Sequence, residues 1–595
     1  MTEYGHGKHE PGKHGHGHLK FIASPLVKAE RMEIMQSYTT YAGSQKSNGI
    51  IHTQSPGRDS IPLVAEDEAF CETPAFRRHA EATTIELFYD LFFVANLSTF
   101  SSLLEINDKS SLTAYIGFFC LLWFTWYQVS LYDVRFSADS VFNRCCKAGQ
   151  FGVMVGFAVV APTWKPGKEI ADYSEFKAMA FILMASRLVL CLQYGLSIWF
   201  VRNYRRTMLP MALIIGTYFV AAMIYLGLAF VFPRNISPEN PVINHVYICF
   251  YVVAILETAI VIGISSFWRV ISFKGTHFVQ RMSLLTLIIL GEGITVICTA
   301  ISSIVNNGYT FRAGIIGQIL SSVLIIYFLY MLYFDRISEK HFGTIFQQIW
   351  SFLHFPFHLT LVLCLEGISQ FIKFRQAVEG IFTFTKYITR DISHWNSTGS
   401  LVTDLNTTAW SFVFDYPQPG VDFGPAIENV NRSLTAILAS STANITTEER
   451  QSVIANSISD ILLTCANALF ASIGVEAPEP KHGHEPTIEG QIDKVDDMQS
   501  LIFLYFFICA GTSVILIGVL GYISERPKTS GQWLKGASNI LVGLGIALLS
   551  LMYAAPGQTV MVNYLFSAWL LPTLCLALGI TVLFNHVMIL GGKRH

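Results

Sequence analysis

Apolar and polar stretches alternate along the chain with a spacing that is typical of membrane-spanning helices. A helix needs roughly twenty predominantly apolar residues to cross the hydrocarbon layer, and about twelve segments reach that length. They lie at 84–104, 112–131, 145–162, 177–201, 209–231, 244–268, 281–304, 313–334, 347–372, 499–523, 534–554 and 562–590. The pattern predicts an all-α integral membrane protein with membrane parts at 81–372 and 499–595, interrupted by a polar insertion at 373–498.

The first part of the chain has a different composition. Residues 1–80 are polar and rich in Gly, His, Ser and Pro, and they contain no apolar core of a signal peptide. This composition predicts a mostly disordered cytosolic tail. The segment GHGKHEPGKHGHGH favours flexible low-complexity sequence over a weak zinc or nickel site. We therefore expect the first apolar segment to act as an uncleaved signal anchor.

Composition independently excludes a soluble protein. Hydrophobic residues occupy 52% of the 595 positions and charged residues 14%, with a mean hydropathy of +0.44. Soluble domains contain about 25% charged residues. The net charge of −2 gives no indication of a nucleic-acid partner. The eleven cysteines lie mostly within apolar segments without CxxC spacing, so they predict neither a metal centre nor a disulfide framework.

Glycosylation sequons and loop charges predict the same orientation. Four Asn-X-Ser/Thr sequons cluster in the polar insertion, which is typical of the extracytosolic side of a eukaryotic membrane glycoprotein. Their acceptor residues are Asn396, Asn406, Asn431 and Asn444. With the insertion outside, twelve spans place both termini in the cytosol. The short loops then assigned to the cytosol carry most of the Arg and Lys residues, as the positive-inside rule requires. We expect the protein in the plasma membrane or an endomembrane.

The insertion is expected to be partly helical. The run TTEERQSVIANSISDILLTCANALF, which begins at Thr446, has helix start signals followed by apolar residues at helical spacing. The insertion contains one cysteine, Cys465, so no internal disulfide can stabilise it. We expect it to pack on the membrane domain or on a second subunit of a homo-oligomer. A thirteenth span at 453–475 is rejected because it would place the basic loop 525–535 outside.

A short internal similarity suggests a duplicated architecture. The second span ends TWYQVSLYDVRF and the eighth ends YFLYMLYFDRIS, both rich in aromatic residues and both closing with Asp and Arg. The first and seventh spans each carry carboxylates. The similarity suggests two parallel halves of six spans each, an arrangement found in one large class of transporters.

Ionisable side chains inside the spans are the main pointers to function. A charged residue at the centre of a membrane helix costs about 2.5–3.5 kcal/mol on insertion scales. The residues selected as ion-binding are Glu86, Asp90, Arg187, Glu257, Glu292 and Glu366. A salt bridge of Arg187 with one carboxylate would explain one or two of them as packing groups, but not five carboxylates. For each single residue, packing is an equal alternative. Glu86 and Asp90 share a helix face, which we expect to point toward Glu292 or Arg187.

The ninth span also carries two histidines, His354 and His358, four residues apart. A zinc site would need a third ligand such as Glu366, and two ligands on one helix face cannot reach opposite faces of a haem. A proton relay or ordinary packing is therefore favoured, and we predict no metal and no cofactor.

Enzyme signatures are not found in the sequence. It contains no GxSxG elbow, P-loop, HExxH motif or dinucleotide fingerprint. The glycines in LIGVLGYI and LVGLGIALL are typical of close helix packing in membranes.

Two motifs resemble those of the low temperature requirement A (LtrA) family of membrane proteins. IELFYDLFFV, from Ile85, resembles the family's ELFFDLVFV segment, and HFVQRMSLLTLIILGEGI at 277–294 resembles its H-x-x-E-R…LGE element. The aromatic span WFTWYQVSLYDVR lies between them, so the resemblance covers most of the membrane-embedded chain. The residues to which it points are Glu86, Asp90, His277, Arg281, Gly291 and Glu292.

The chain departs from this family's pattern in two places. Gln280 stands where the family usually has Glu, which removes a charge beside Arg281, and the long insertion is absent from the compact bacterial members. With its sequons, the resemblance implies a eukaryotic, fungal member. The family is tied by name to growth in the cold, and it implies no settled biochemical activity.

Recurrent ionisable groups favour a transport protein, either a proton-coupled carrier or an ion channel, with an unidentified substrate. The carboxylates would bind protons or cations, and Arg187 would serve as counter-ion. We expect His277, Arg281, His354 and His358 to be relay or supporting residues. Two alternatives remain open, a non-transporting lipid-binding or sensory scaffold and a membrane-embedded lipid-modifying enzyme. A water-filled path between both faces would favour transport, and a cavity open to lipid would favour the alternatives.

Overall fold

The computed structural model describes fifteen stretches of the chain, and within them the only regular secondary structure is helical. The described residues are 20–26, 76, 81–104, 106–168, 172–233, 244–273, 275–306, 313–337, 344–391, 398–414, 422–442, 446–472, 488–524, 530–554 and 563–592. The predicted all-α class of a polytopic membrane protein is confirmed for this part of the chain.

The membrane domain consists of two sets of six α-helices. The first set is α1 (Thr84–Leu103), α2 (Lys109–Phe136), α3 (Val141–Val160), α4 (Ser174–Val201), α5 (Arg205–Val231) and α6 (Ile248–Phe267). The second set is α7 (Phe278–Asn306), α8 (Ala313–Phe334), α9 (Thr344–Asp391), α13 (Ile488–Ser524), α14 (Ser530–Leu548) and α15 (Leu570–Gly592). Between α9 and α13, the insertion contributes α10 (Thr398–Ala409), α11 (Gly424–Thr442) and α12 (Thr447–Ser472).

Among the described residues, 12 helical segments are long and apolar enough to cross a bilayer. Eleven of them coincide with predicted spans, namely all those from the second onward. The predicted first span, α1, is not apolar enough along its length to be among these twelve segments. The twelfth is Thr447–Leu469 of the insertion. The number of spans therefore agrees with the sequence, but one member of the set differs.

Helix α1 nevertheless has the surface of a membrane helix. Its inner face carries Glu86 and Asp90, both buried, which lower its mean hydropathy. Its outer face exposes Phe88 by 50% and Leu91 by 55%. Two large exposed apolar side chains one turn apart are typical of a lipid-facing helix surface, so we retain α1 as the first span.

Helix α12 has the opposite surface. It packs with α10 and α11 around a separate apolar core that includes Leu405, Ile437 and Ile461. The face it leaves exposed is polar and carries Asn456 and Asp460. Lipid would not solvate such a face, so we assign α12 to the insertion, as the sequence predicts. Its helical start at Thr446 is also confirmed, because Thr446 and Glu449 exchange the two hydrogen bonds of a capping box.

Two helices cross the predicted borders of the insertion. Helix α9 has 48 residues and is therefore about 72 Å long, more than twice the thickness of the hydrocarbon layer. Helix α13 begins at Ile488, ten residues before the predicted end of the insertion at 498. The insertion is thus joined to the membrane domain by continuous helices, and α12 packs against α9.

Helix α2 is the centre of the first half. In its most apolar stretch, 83% of the residues are buried, compared with 33% in the corresponding stretches of α5 and α6. Its aromatic side chains pack around it in all directions, among them Trp123, Trp126 and Tyr127, which are fully buried. A helix that is apolar on every side is buried on every side, which is why polar groups on α2 must find partners inside the bundle.

Helix packing repeats between the two halves. In the first half, α1 contacts α2 and α3, α3 contacts α4, α4 contacts α5, α5 contacts α6, and α2 contacts α4 and α6. The second half makes every corresponding contact when α7, α8, α9, α13, α14 and α15 replace α1 to α6 in order. Helices α1 and α7 meet near their starts, and their contacts advance in the same direction, from Glu86–His277 to Asp90–Arg281. The two helices therefore run parallel. The packing agrees with the prediction of two parallel six-helix halves.

Part of the N-terminal tail is ordered against this domain. The carbonyl oxygens of Lys20 and Phe21 accept hydrogen bonds from the backbone N–H groups of Val141 and Phe142 at 3.1 and 3.0 Å. These N–H groups are at the start of α3, where a helix lacks internal acceptors. Phe76 packs edge-on against a phenylalanine at the end of α2. Apart from residues 20–26 and 76, the predicted disordered tail lies outside the described part of the chain.

The contact between α13 and α14 depends on two glycines. A Cβ atom added at Gly543 would lie 2.6 Å from the carbonyl oxygen of Gly511, whereas a Cβ atom at Gly545 would meet nothing within 4 Å. We expect Gly543→Ala to lower the unfolding free energy by about 1–3 kcal/mol, because the backbone of α13 would have to move. The matched control Gly545→Ala should be neutral or stabilising. Melting temperatures in detergent micelles test this, and equal values for both variants would contradict the packing.

Candidate functional site

Glu86 caps its own helix and reaches across to α7. Its Oε2 accepts the backbone N–H of Thr83 at 2.9 Å, at the start of α1. The same oxygen lies 2.9 Å from Nε2 of His277. A glutamate at this position of a capping box satisfies an N–H group that the helix itself cannot pair. Glu86 therefore positions the start of α1 against the start of α7.

Asp90 is held by two donors from different helices. Its Oδ1 accepts from Trp126 Nε1 of α2 at 2.7 Å and from Arg281 Nη2 of α7 at 2.7 Å. The guanidinium of Arg281 also lies over the Trp126 ring, 5.4 Å from its centroid. Charge-assisted hydrogen bonds of this length are among the strong ones in proteins, so this carboxylate ties three helices together.

Arg281 also connects to a second buried pair. Its Nη1 donates to Asp133 Oδ2 of α2 at 3.3 Å, and Lys147 of α3 forms a salt bridge with the same oxygen. The Lys147 ammonium lies over the Tyr89 ring at 4.8 Å. We refer to the connected groups as the charge network, and its members are Glu86, Asp90, Asp133, Lys147, His277 and Arg281.

The observed partners of Glu86 and Asp90 differ from those that the sequence predicts. The sequence predicts that they face Glu292 or Arg187, whereas they face His277 and Arg281. The cause is helix register. Both acids lie in the first two turns of α1, which meet the start of α7, and Glu292 follows Arg281 by eleven residues, about 16 Å farther along the helix.

Sequence reasoning missed two members of the charge network. Lys147 lies only two residues inside the predicted third span at 145–162, where a basic residue is expected at the cytosolic end of a helix, and Asp133 belongs to the Asp–Arg pair of the internal similarity. Helix α3 begins at Val141, after Ser140, whose side chain accepts the N–H of Asn143. Serine is a preferred N-cap residue, so this signal could have placed Lys147 more than one turn inside the helix.

A second buried ion pair lies in the middle of the first half. Arg187 of α4 donates to Glu257 Oε1 of α6 through Nε at 2.9 Å and through Nη2, and Nη1 donates to Thr125 Oγ1 of α2 at 3.0 Å. The two charged side chains are 0% and 2% exposed. This is the pairing of Arg187 with a carboxylate that the packing interpretation requires.

Glu292 is placed differently from these carboxylates. It lies at the midpoint of the 29-residue helix α7, close to the side chain of Ser98 on α1. No arginine, lysine or histidine of the described residues forms an ion pair with it. Because α1 and α7 open the two halves, Glu292 lies at the interface between them.

Glu366 of α9 lies close to Glu292. Helices α7 and α9 approach closely at Gly293, where an added Cβ atom would be 2.7 Å from the Leu365 side chain. The neighbouring residues Glu292 and Glu366 both interact electrostatically with the phenol of Tyr115. Gln370 donates to Glu366 Oε1 at 3.5 Å. We refer to Glu292, Glu366, Tyr115 and Tyr505 as the glutamate site.

Two tyrosines complete the glutamate site. The hydroxyl of Tyr115 lies 2.6 Å from Ser101 Oγ, and Tyr505 of α13 is within electrostatic range of Glu366 and Tyr115. The Tyr505 hydroxyl is buried and has no hydrogen-bond partner among the described residues. Carboxylate and phenol oxygens are hard ligands that suit protons and small cations, so this group of side chains can hold either one.

Both histidines of α9 are fully hydrogen-bonded in the neutral form. His358 Nδ1 accepts from Trp123 Nε1 at 3.0 Å, and its Nε2 lies 2.8 Å from Thr286 Oγ1. His354 Nδ1 lies 2.8 Å from a backbone carbonyl oxygen, and its Nε2 lies 2.8 Å from the Tyr333 hydroxyl. Each ring therefore has one donor and one acceptor contact, which fixes its tautomer. This arrangement favours packing over relay for both residues.

The geometry of the described residues does not add support for a metal site. Within the described ranges, no three side chains of the His, Cys, Asp and Glu types converge on one point. His354 and His358 lie close together, with ring centroids 5.3 Å apart, but all four of their ring nitrogens have other contacts.

Comparison with known proteins gives one family. Residues 81–394, more than half of the chain, match the family described as bacterial low temperature requirement A protein (LtrA). The matched region contains the whole charge network, the Arg187–Glu257 pair and both glutamates of the glutamate site. Neither the comparison with curated proteins nor the comparison with solved structures gave a match.

Proposed function

The chain belongs to the low temperature requirement A (LtrA) family, and on that premise we propose that it transports protons or a small cation across the membrane. The observation that carries the proposal is the position of Glu292. Asp90 and Glu257 are held by arginines and Glu86 by His277, whereas Glu292 is buried at mid-helix beside a serine.

A carboxylate in this position needs another form of compensation. An uncompensated charge in the membrane interior is costly, so the group must be protonated, hydrated or bound to a cation. Each of these states allows Glu292 to take up and release a positive charge. The nearby Glu366 supplies a second carboxylate, and Tyr505 supplies a hydroxyl without a hydrogen-bond partner in the described part of the chain.

The architecture favours the same function. In transporters built from repeats, substrate and coupling-ion sites lie near the bilayer midplane at the interface between the repeats. Here the contact between Ser98 and Glu292 joins the first helix of one half to the first helix of the other. The glutamate site therefore occupies the position at which a movement of one half against the other would change its access.

The remaining ion-binding candidates take supporting roles in this proposal. The charge network fixes one end of the interface between α1 and α7, and the Arg187–Glu257 pair joins α4 to α6 within the first half. We assign proton or cation binding to Glu292 and Glu366, and positioning of helices to Glu86, Asp90, Arg187 and Glu257. His277 and Arg281 support the first two of these acids.

Flux through purified protein tests the proposal. Proteoliposomes that contain the full-length protein and a trapped pH dye should acidify or alkalinise when a proton or cation gradient is imposed. Parallel vesicles with trapped sodium and potassium dyes identify the ion. If none of these gradients produces flux above that of protein-free vesicles, the transport function is rejected for protons, sodium and potassium, and a lipid-binding or sensory scaffold becomes the better description.

We further propose that the insertion lies outside the cytosol and that both termini lie in the cytosol of a eukaryotic cell. The sequons and the distribution of Arg and Lys support this orientation. Of the four sequons, Asn396 and Asn444 lie outside the described residues. Asn431 is exposed on α11, whereas Asn406 on α10 is half-buried and its Oδ1 is inaccessible.

Exposure predicts which of these two asparagines carries a glycan. We expect Asn431→Gln to increase gel mobility by the mass of one glycan, because the folded insertion has room for a glycan on this exposed side chain. Asn406→Gln serves as the matched control and should change mobility little. Treatment with a glycosidase should make all the proteins migrate equally. A wild-type protein that migrates the same before and after glycosidase treatment would contradict the proposed orientation.

A further inference from the structure

Two serine hydroxyls follow one another along α1 from the position of Glu292. Ser98 lies close to the Glu292 side chain, and Ser101 comes three residues later. Side chains at this spacing lie on the same face of a helix, and the rise between them is about 4.5 Å. Ser101 lies two residues before the end of α1, whereas Glu292 lies at the middle of α7. The two serines therefore lead from the middle of the bundle toward one end of it.

The hydroxyl of Tyr115 continues from these serines to the second glutamate. It lies 2.6 Å from Ser101 Oγ, and either oxygen can be the donor. Tyr115 of α2 is fully buried and interacts electrostatically with both Glu292 and Glu366. We refer to the hydroxyl groups of Ser98, Ser101 and Tyr115 as the hydroxyl row. It connects a carboxylate on α7 with a carboxylate on α9.

Hydroxyl groups suit proton transfer because each one donates and accepts hydrogen bonds at the same time. A hydroxyl oxygen takes up one proton and releases its own hydrogen to the next acceptor, so the group changes only its orientation. One water molecule can span the gap between two such groups. The Tyr505 hydroxyl, which is within electrostatic range of Tyr115 and Glu366, has no hydrogen-bond partner in the described part of the chain. It can therefore donate to either group during a transfer.

A metal cation would need a different arrangement of oxygen atoms. Hard cations are held by about six oxygens that converge on one point. The hydroxyl row instead extends along α1, with Ser98 beside α7 and Ser101 bonded to α2. Within the described ranges, no acidic side chain, histidine or cysteine joins the two glutamates in a group of three. Oxygen atoms in series favour stepwise proton transfer over coordination of an ion.

We propose that the transported ion is the proton, and that the hydroxyl row passes it between Glu292 and Glu366. This inference rests on the transport function proposed above and names its substrate. In one direction, a proton leaves the Glu292 carboxyl group and the last hydroxyl of the row gives up a proton to the Glu366 carboxylate. Each hydroxyl releases one proton for every proton that it accepts, so no charge remains on the row.

Dye measurements separate this inference from the transport function itself. Proteoliposomes that contain the full-length protein are loaded with pH, sodium or potassium dyes and exposed to the same imposed gradients. We expect the internal pH to change at a rate above that of protein-free vesicles. Flux of sodium or potassium without a pH change would overturn the proton assignment, although the transport function would hold. Absence of flux for all three ions would overturn both.

Tyr115→Phe tests the hydroxyl row. It removes one oxygen atom and retains the ring that packs against Phe100. We expect the rate of pH change per folded molecule to fall about tenfold. The matched control is Tyr127→Phe, which removes another buried hydroxyl of α2, 2.8 Å from Ser351 Oγ, and should leave the rate unchanged. Equal rates in the two variants would overturn the role of the hydroxyl row.

A second pair of variants provides the test if Tyr115→Phe does not fold. Ser101→Ala removes the hydrogen-bond partner of Tyr115 and should also slow the pH change. Ser102→Ala is its control, because Ser102 is exposed and donates to the backbone of its own helix. A lower melting temperature in Ser101→Ala with the same rate per folded molecule as in Ser102→Ala would show that the serine only packs, and would overturn the proposal.

Discussion

Replacement of Arg187 by methionine is expected to lower the unfolding free energy by about 3–5 kcal/mol, since it leaves Glu257 buried without its cationic partner. The pair is nearly inaccessible, and Nε, Nη1 and Nη2 all donate hydrogen bonds to other helices. Glu257→Gln should have a smaller effect, because glutamine can still accept a hydrogen bond from the guanidinium although the charge on Arg187 loses its compensation. Denaturant titrations in detergent micelles measure both changes.

Two controls make this result specific. Arg144 forms an exposed salt bridge with Asp139 at 2.7 Å, and Arg144→Met should cause no measurable change, because exposed ion pairs contribute little. The double variant Arg187→Met with Glu257→Leu should be more stable than Arg187→Met alone, since no buried charge remains. The single variant Glu257→Leu completes the comparison. If the double variant loses as much stability as Arg187→Met and Glu257→Leu added together, the pair does not act as a unit.

Much of the fold could be predicted because the bilayer imposes a strong and simple constraint. Eleven spans, the helical class and the internal similarity follow from the length and spacing of apolar runs. The exceptions are α1 and α12, because the average along each helix does not match the surroundings of its two faces. Mean hydropathy cannot separate a membrane helix with an acidic inner face from an insertion helix with an apolar inner face, because both average over the helix.

The partners of the buried charges were harder to predict. The pairing of Arg187 with a carboxylate follows from charge balance, but the choice of Glu257 depends on the packing of α4 against its neighbours. Glu86 and Asp90 were assigned to the wrong partners because the sequence does not fix the offset of α1 along α7. Lys147 is missed because the predicted start of the third span lies four residues too late, which leaves this lysine at the end of the helix instead of more than one turn inside it.

Replacement of Glu292 by glutamine is expected to reduce flux to the level of protein-free vesicles. The variant keeps the size of the side chain beside Ser98, but it cannot bind or release a proton. Its folding should be close to that of the wild type, because no ion pair is broken in the described part of the chain. Glu366→Gln should also reduce flux, since the second carboxylate shares the glutamate site.

Glu86→Gln provides a contrast within the membrane domain. It should weaken the contact with His277 and the start of α1, so its main effect should be a lower melting temperature. Flux per folded molecule should persist. An equal loss of flux in Glu86→Gln and Glu292→Gln, at equal amounts of folded protein, would move the transport site from the glutamate site to the charge network.

The most direct test of the account compares wild type, Glu292→Gln and Glu448→Gln in proteoliposomes under the gradient that drives the greatest wild-type flux. Glu448 is exposed on α12 of the insertion, so its replacement makes the same chemical change away from the glutamate site. The account predicts flux in wild type and Glu448→Gln and none in Glu292→Gln, with equal amounts of folded protein in all three. Undiminished flux in Glu292→Gln would contradict it.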